Sequence, residues 1–227
     1  LGITYDIGEN HTLYASYTSI LKPQTVKDIN GKYLDPIQGK DYELGIKGDY
    51  FDGALSASFG VFKVVQDKLG ARTGQKIPGT TTDAYEAKKG VTSKGFEVDV
   101  NGEINKNLSL SLGLTHFNAK DADGKKFDTE SSRTTANLFA KYSIADFRAG
   151  AGVQYKSKIY VGSGANEITQ KAYTLANLMF GYKISKNFDI QLNIDNVFNK
   201  KYFEGIGNNK MVYGDPRTFN LGFTYSF

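Results

Sequence analysis

Hydrophobic and polar residues alternate with a period of two along most of the chain. The pattern is clearest near residue 227, where Phe219, Leu221, Phe223, Tyr225 and Phe227 alternate with small or polar residues. Because successive side chains of a β-strand point to opposite faces, this segment is predicted to be a strand with one apolar and one polar face. Four further segments alternate in the same way, at 42–50, 96–101, 108–115 and 188–195.

The alternation, together with the turn residues between apolar runs, predicts about eleven strands. Short and long connections between them follow one another without exception, which is typical of an up-and-down barrel with tight turns on one side of a membrane. The predicted strands are 1–6, 11–19, 40–50, 54–65, 91–103, 107–117, 132–142, 146–160, 172–183, 187–195 and 216–227. The long connections are 20–39, 66–90, 118–131, 161–171 and 196–215.

A soluble β-sandwich would also produce alternating strands. Several predicted strands run to about ten residues or more, a length that suits a tilted membrane strand better. The polar face carries carboxylates such as Glu97, Asp99 and Asp189, as a wet lumen allows, and aromatic residues such as Phe51 and Tyr142 cluster near the short turns. The sequence therefore predicts an all-β fold, a transmembrane antiparallel up-and-down β-barrel.

The composition excludes several other classes of function. The chain has 227 residues, a net charge of +4, no cysteine and two histidines. Its charges are spread along the sequence, which argues against binding to nucleic acid. His11 adjoins a short turn and His116 falls in the register of Leu108 to Leu114, so neither is positioned for catalysis. No catalytic residue, no metal site and no resident cofactor are expected.

The strand count predicts that the chain is part of a larger barrel. Single-chain bacterial barrels have an even number of strands, and closure removes the exposed edges. Leu1 also lies within a predicted strand. The large outer-membrane transporters have about 22 strands. We therefore expect residues 1–227 to be the C-terminal half of one such barrel.

Three motifs resemble those of the TonB-dependent outer-membrane receptors. The first is the run 196–202 (NVFNKKY), followed by 214–217 (GDPR) and a strand ending in Phe227. The second is 39–47 (GKDYELGIK) and the third is 90–98 (GVTSKGFEV). Within that family the chain is most similar to receptors for ferric hydroxamate, coprogen or pyoverdine-type siderophores.

This resemblance implies TonB-dependent import of a ferric siderophore across the bacterial outer membrane. The implied partners are outer-membrane lipid and lipopolysaccharide, the ferric siderophore, an N-terminal barrel half with a plug domain, TonB acting through that plug, and the barrel-assembly machinery acting through Phe227. The alternatives are a passive diffusion porin and a surface barrel that acts as an enzyme or an adhesin.

Contacts to a siderophore are expected in the lumen near the long connections and on the long connections themselves. Aromatic or cationic side chains suit a chelate that is often anionic. The candidates are, by strand register, Phe62, Phe117, Arg133 and Tyr160, and, from the long connections, Arg72, Tyr85 and Tyr213.

Overall fold

The computed structural model describes the whole chain except Lys89, Asp128, Ser163, Asn208 and Asn209. All five positions fall within predicted long connections, so these parts of the connections lie outside the described residues. The described part of the chain forms 17 strands and one short 3₁₀ helix, Gly164–Asn166. No helix in this part of the chain is long and apolar enough to cross a membrane.

Eleven strands are hydrogen-bonded in one sheet, in the order β1-β2-β3-β4-β7-β8-β9-β10-β13-β14-β17. They match the eleven predicted strands one to one. Several extend further than predicted, because main-chain pairing continues where the apolar alternation has stopped. Their bounds are β1 Gly2–Ile7, β2 His11–Lys22, β3 Ile37–Tyr50, β4 Leu55–Asp67, β7 Val91–Asn105, β8 Leu108–Lys120, β9 Thr134–Ile144, β10 Phe147–Lys156, β13 Tyr173–Lys183, β14 Phe188–Asp195 and β17 Thr218–Tyr225.

The other six strands form three hairpins within predicted long connections, a feature that the sequence did not predict. They are β5 Leu69–Lys76 with β6 Asp83–Lys88, β11 Ile159–Val161 with β12 Ile168–Gln170, and β15 Phe203–Gly207 with β16 Lys210–Tyr213. The hairpin strands have three to eight residues and lack a sustained alternation, because they do not divide a lipid environment from a lumen.

The prediction of a strand over 146–160 is wrong at the C-terminal end of that strand. β10 ends at Lys156, and Ser157 still pairs with Thr134, whose carbonyl accepts the Ser157 N–H at 2.9 Å. The chain then leaves the sheet, and the N–H of Tyr160 bonds to the carbonyl of Thr129 at 2.9 Å. Tyr160 therefore belongs to the β11–β12 hairpin and not to a strand of the main sheet.

The Cα positions cluster into two compact units. Unit 1 comprises residues 1–46, 60–96 and 117–128, and unit 2 comprises residues 47–59, 97–116 and 129–227. Strands β3, β4, β7 and β8 contribute residues to both units.

One face of the sheet in unit 2 is apolar across six strands. Residues that pair directly in an antiparallel sheet share a face, so a row of pairs can be followed from strand to strand. One such row runs from β8 to β17 through Leu108, Tyr142, Ala149, Phe180, Leu192 and Leu221. Phe180 and Leu221 are exposed despite their apolar side chains. This face is the lipid-facing surface that the alternation predicted.

The opposite face of the same strands is polar. Its most prominent contact joins Arg148 on β10 to Asp189 on β14, with Nη2 and Oδ1 at 2.6 Å. The guanidinium crosses Gly181 on the intervening strand, where a Cβ would lie 2.7 Å from its Nε atom. A glycine at this position lets the two charges meet. The face agrees with the predicted lumenal surface.

Aromatic rings cluster near the short turns of unit 2. Phe147 and Tyr182 lie 4.5 Å apart between ring centroids, and Phe188 and Phe223 stack at 6.2 Å. Both pairs lie on the apolar face, at the strand ends that join short turns. This arrangement agrees with the predicted aromatic girdle at a membrane interface.

Candidate ligand-binding site

The hairpin β5–β6 brings two of the predicted ligand-binding residues together in unit 1. Arg72 and Tyr85 are directly opposite each other in the two strands. The Nε atom of Arg72 donates a hydrogen bond to the Tyr85 hydroxyl at 3.1 Å, and the guanidinium lies 3.7 Å from Asp83. Cross-strand pairing therefore presents a cation and an aromatic ring as one surface.

Two positive side chains of this hairpin, Arg72 and Lys76, share one carboxylate, Asp83. The ammonium of Lys76 forms a hydrogen-bonded ion pair with Asp83. That hydrogen bond, with the positive charges of Lys76 and Arg72, holds the pKa of the Asp83 carboxyl below its ordinary value. Asp83 therefore stays ionised at neutral pH and balances one of the two cations, which leaves this group of three charges with a positive excess.

The connection between β2 and β3 is fastened to the hairpin by the side chain of Gln24. Its Nε2 atom donates to the carbonyls of Asp35 at 2.5 Å and Lys68 at 2.7 Å, and its Oε1 atom accepts the N–H of Gly70 at 3.1 Å. The ion pair between Lys68 and Asp35, at 2.9 Å, reinforces the same junction. Nothing in the sequence pattern distinguishes Gln24 from other polar loop residues, so this role was not predicted.

A cavity of 530 Å³ lies between that connection and the hairpin. Arg72 and Tyr85 line it, Ile29 and Leu34 supply apolar surface, and Asp28 and Glu86 add carboxylates. A volume of this size is typical of sites for small organic ligands, which combine apolar contact with a few polar groups. The cavity can hold an organic chelate against a cation, a phenol and an apolar wall.

Phe62 and Phe117 lie on strands of unit 1 and are half-buried. Phe62 shares the face of Gly60 on β4, where a Cβ would lie 2.7 Å from the Tyr14 hydroxyl. Phe62 therefore lies on the same face of the sheet as the hydrogen-bonded pair of Tyr14 and Glu43. Neither phenylalanine is among the described residues that line the 530 Å³ cavity.

The three remaining candidates lie in unit 2. The ammonium of Lys158 lies over the ring of Tyr160 on β11, 4.9 Å from the ring centroid. Tyr213 on β16 is 76% exposed and its ring lies 4.8 Å from that of Phe203. Phe203 packs against a buried cluster of Ile159, Val161 and Ile206, which joins the two hairpins.

Through that cluster, the hairpin β11–β12, which contains Tyr160, packs against the hairpin β15–β16, which contains Tyr213. Arg133 is half-buried in the residues that precede β9. The structure thus joins Arg72 with Tyr85 in unit 1, and the hairpin of Tyr160 with that of Tyr213 in unit 2.

The motif 196–202 is held to the segment 214–217 by the side chains of two asparagines. Asn196 is 4% exposed, and its Nδ2 atom donates to the carbonyls of Lys200 and Asp215, both at 2.9 Å. Its Oδ1 atom accepts the N–H of Lys200 at 2.8 Å. The Oδ1 atom of Asn199 accepts the N–H of Arg217 at 3.0 Å. The two asparagines therefore tie 196–202 to 214–217, as expected for turn residues at a strand end.

Gly214 and Tyr202 complete this junction. A Cβ at Gly214 would lie 2.0 Å from the Tyr202 ring, so only glycine allows the ring to cover the main chain here. The ring also lies 4.5 Å from that of Tyr173. Burial raises the pKa of the Tyr202 hydroxyl above its ordinary value, so the phenol stays neutral and acts in packing.

Among the described residues, no group of three His, Cys, Asp or Glu could hold a metal ion. The ring of His116 is engaged through Nδ1, 2.8 Å from the Thr134 hydroxyl. A further cavity, of 480 Å³, lies on the apolar face beside Phe180 and Leu192. Its position suits lipid chains and not a polar chelate.

This chain is similar to known receptor proteins. The family model described as TonB dependent receptor-like, beta-barrel matches residues 1–197. The ferric-pyoverdine BN7/BN8 receptor of Pseudomonas putida is 36% identical over 232 residues, which cover 100% of this chain and 27% of that receptor.

Solved structures give the same result. The ferripyoverdine receptor of the outer membrane of Pseudomonas aeruginosa, bound to ferripyoverdine, has a TM-score of 0.88 and 30% identity over 100% of this chain and 32% of its own. The siderophore receptor PiuA of Acinetobacter baumannii has a TM-score of 0.79 and 27% identity over 99% of this chain and 35% of its own. The chain thus spans about a third or less of the length of these relatives.

Proposed function

Because the chain belongs to the TonB-dependent receptor-like β-barrel family, we propose that it forms wall strands and extracellular loops of a receptor that imports a ferric siderophore. Membership of this family means that the chain is part of a bacterial outer-membrane β-barrel, as the sequence predicted. The resemblance to TonB-dependent receptors is confirmed by this match, which includes 39–47 and 90–98, and by the receptors that are similar over 100% of the chain.

The observation that carries the proposal is the family match over 1–197, together with a sheet whose two faces differ in polarity. An apolar face toward lipid and a polar face toward a lumen are what a transport barrel needs. The names of the similar receptors support a ferric siderophore as the cargo, and ferric pyoverdine as the first chelate to test. The family match also favours a receptor over a passive porin.

We propose that the chain supplies half of a barrel of about 22 strands. In this arrangement further strands and a plug domain come from another part of the same protein, and TonB acts through the plug. The eleven strands of the sheet have β1 and β17 at its edges, which supports pairing with further strands. Recognition of the exposed Phe227 by the barrel-assembly machinery belongs to the same proposal.

The ligand-binding residues in this proposal are the seven predicted from the sequence, and Arg72 with Tyr85 is the pair that the geometry supports best. The guanidinium offers charge and the phenol offers stacking and a hydroxyl, next to a cavity of 530 Å³. The iron arrives within its chelate, so the chain needs no ligand set of its own. The proposal assigns no catalysed reaction to the chain.

Replacing Arg72 by alanine is expected to weaken binding of a ferric pyoverdine-type siderophore by about tenfold, since loss of one charge-assisted contact costs about 1.5 kcal/mol or more. Tyr85→Phe keeps the ring, removes its hydroxyl, and should weaken binding by less than about fivefold. The measurement is titration of the full-length receptor with the ferric chelate, followed by quenching of the receptor's intrinsic aromatic fluorescence.

Lys171→Ala is the matched control, because Lys171 is an exposed cation of another extracellular connection. It should leave the dissociation constant unchanged. Equal affinities for the parent protein, Arg72→Ala and Tyr85→Phe would remove the pair from the binding site.

A further inference from the structure

Three lysines from three neighbouring strands surround one cavity in unit 1. Lys63 lies on β4, Lys94 on β7 and Lys120 on β8, and these strands are adjacent in the sheet. The cavity has a volume of 640 Å³, and Thr92 and Asn118 also line it. All three lysines are exposed. The strands thus present a concave, cationic surface.

This cavity lies on the face opposite to the polar, lumenal one. A Cβ at Gly60 would lie 2.7 Å from the Tyr14 hydroxyl and 3.4 Å from the Glu43 carboxylate. The Tyr14 hydroxyl donates to Glu43 at 2.6 Å, so Gly60 belongs to the polar face. Lys63 is an odd number of residues further along β4 and therefore points to the other side.

The side of Lys63 is also the apolar side of this unit. By the same alternation it carries Leu44 and Val61, which are 57% and 41% exposed. Tyr42 lies there as well, and its ring centroid is 5.3 Å from that of Tyr17. Tyrosines on a lipid-facing surface gather at the boundary between hydrocarbon and head groups. The lysine cavity is therefore on the membrane-facing surface of the sheet.

The cavity is near the side of the long connections. Lys63 is close to the C-terminal end of β4, Thr92 is close to the N-terminal end of β7, and Lys120 is the last residue of β8. Each of these strand ends joins a long connection. Long connections of bacterial outer-membrane barrels are extracellular, so the lysines lie at the level of the outer leaflet.

The positive charges of this cavity have no carboxylate facing them among the described residues that line it. The nearby carboxylates have other partners. Asp67 accepts the N–H of Gly90 at 2.7 Å, and Asp121 accepts the N–H groups of Asp123 and Lys125, each at 3.0 Å. A single lysine at a membrane boundary extends its ammonium into water. Three that converge on one cavity repel each other unless an anion lies between them.

We propose that Lys63, Lys94 and Lys120 bind the phosphate groups of a phosphorylated glycolipid of the outer leaflet. The acyl chains of this lipid lie along the apolar face beside Leu44 and Val61. Thr92 and Asn118 offer a hydroxyl and an amide to its sugar and phosphate oxygens. The site is on the outer surface of the wall, so it is separate from the lumen and independent of the cargo.

The test compares lipid binding by variants of the full-length receptor purified in detergent. The probe is lipid A carrying both phosphates, titrated and followed by native mass spectrometry. Because each lysine near a charged membrane surface contributes about a fivefold factor in affinity, the variant with Lys63→Gln, Lys94→Gln and Lys120→Gln should bind at least about tenfold more weakly. The corresponding triple lysine-to-arginine variant should bind as the parent does.

A second triple variant controls for net charge, with Lys106→Gln, Lys183→Gln and Lys186→Gln at the short-turn side. It should retain the parent affinity, and the heat-dependent gel mobility of every variant reports whether its barrel is folded. Lipid A without phosphates should bind at least about tenfold more weakly to the parent protein. Equal binding of both lipids, or equal binding by both glutamine variants, would overturn the proposal. Displacement of lipid A by inorganic phosphate at equal concentration would also overturn it, because the site would then recognise a free anion.

Discussion

Arginine in place of Leu192 is expected to destabilise the folded barrel by about 2–4 kcal/mol, the cost of a cationic side chain near the bilayer midplane on a lipid-facing strand. Leu192 lies in the middle of β14 and pairs with Phe180 and Leu221 on the neighbouring strands. All three side chains are on the apolar face. The measurement is the free energy of unfolding of the full-length protein in lipid vesicles, obtained from a denaturant titration.

The adjacent residue in the same strand provides the control. Gln191 is on the polar face, where it pairs with Gly181 and Gly222, and Asp189 lies two residues away on the same side. Gln191→Arg should change the free energy of unfolding by less than about 1 kcal/mol, since a lumenal cation remains solvated. A larger loss for Gln191→Arg than for Leu192→Arg would show that the lipid-facing and lumenal faces have been assigned the wrong way round.

Glycine in place of Asn196 is expected to loosen the junction between 196–202 and 214–217 by about 2–4 kcal/mol, because buried main-chain groups lose their partners. The carbonyls of Lys200 and Asp215 and the N–H of Lys200 all bond to this one side chain. Asn196 has a φ of 48°, a conformation that glycine adopts without strain, so the substitution isolates the side chain. Limited trypsin digestion of the folded receptor, followed by mapping of cleavage after Lys200 and Lys201, measures local opening.

Asn199→Gly is the matched comparison. Its φ is 50°, and its exposed side chain accepts one hydrogen bond, from the N–H of Arg217. The expected loss is about 1 kcal/mol or less. Cleavage should therefore be much faster in Asn196→Gly than in Asn199→Gly. Equal rates would mean that the Asn196 side chain does not hold the junction.

The strands of the wall were predictable because the membrane imposes a simple constraint on them. Each residue faces lipid or lumen, so alternation such as that of Phe188 to Asp195 gives both the strand and its faces. The eleven strands and the alternation of short and long connections are confirmed for this reason.

The long connections were less predictable, because their residues face water or each other. The segment Leu69–Lys76 shows no clear alternation, yet it pairs with Asp83–Lys88. The end of β10 was misjudged because no glycine, proline, asparagine or aspartate marks a turn within 153–160. The hydrogen bond of Tyr160 to Thr129 depends on a distant segment.

The candidate site was partly predictable. Residue type and location selected Arg72 and Tyr85 separately, and only the hairpin register shows that they meet. Gln24 bonds to Gly70, more than forty positions away in the sequence. Arg148 and Asp189 are also more than forty positions apart, and they meet across the intervening strand β13. The lysine cavity can be recognised only when the order of β4, β7 and β8 in the sheet is known. In each case the chemistry was visible in the sequence and the proximity was not.

The measurement that tests the central claim most directly is uptake of radiolabelled iron by whole cells. Cells lacking the full-length gene are compared with the parent strain, using a panel of pyoverdine-type, hydroxamate and catecholate chelates with and without an uncoupler. We expect the deletion to abolish uptake of one ferric siderophore, of the pyoverdine or hydroxamate class, and the uncoupler to abolish the same uptake in the parent strain. Unchanged uptake of every chelate, or loss of an uptake that the uncoupler does not affect, would contradict an energised siderophore receptor.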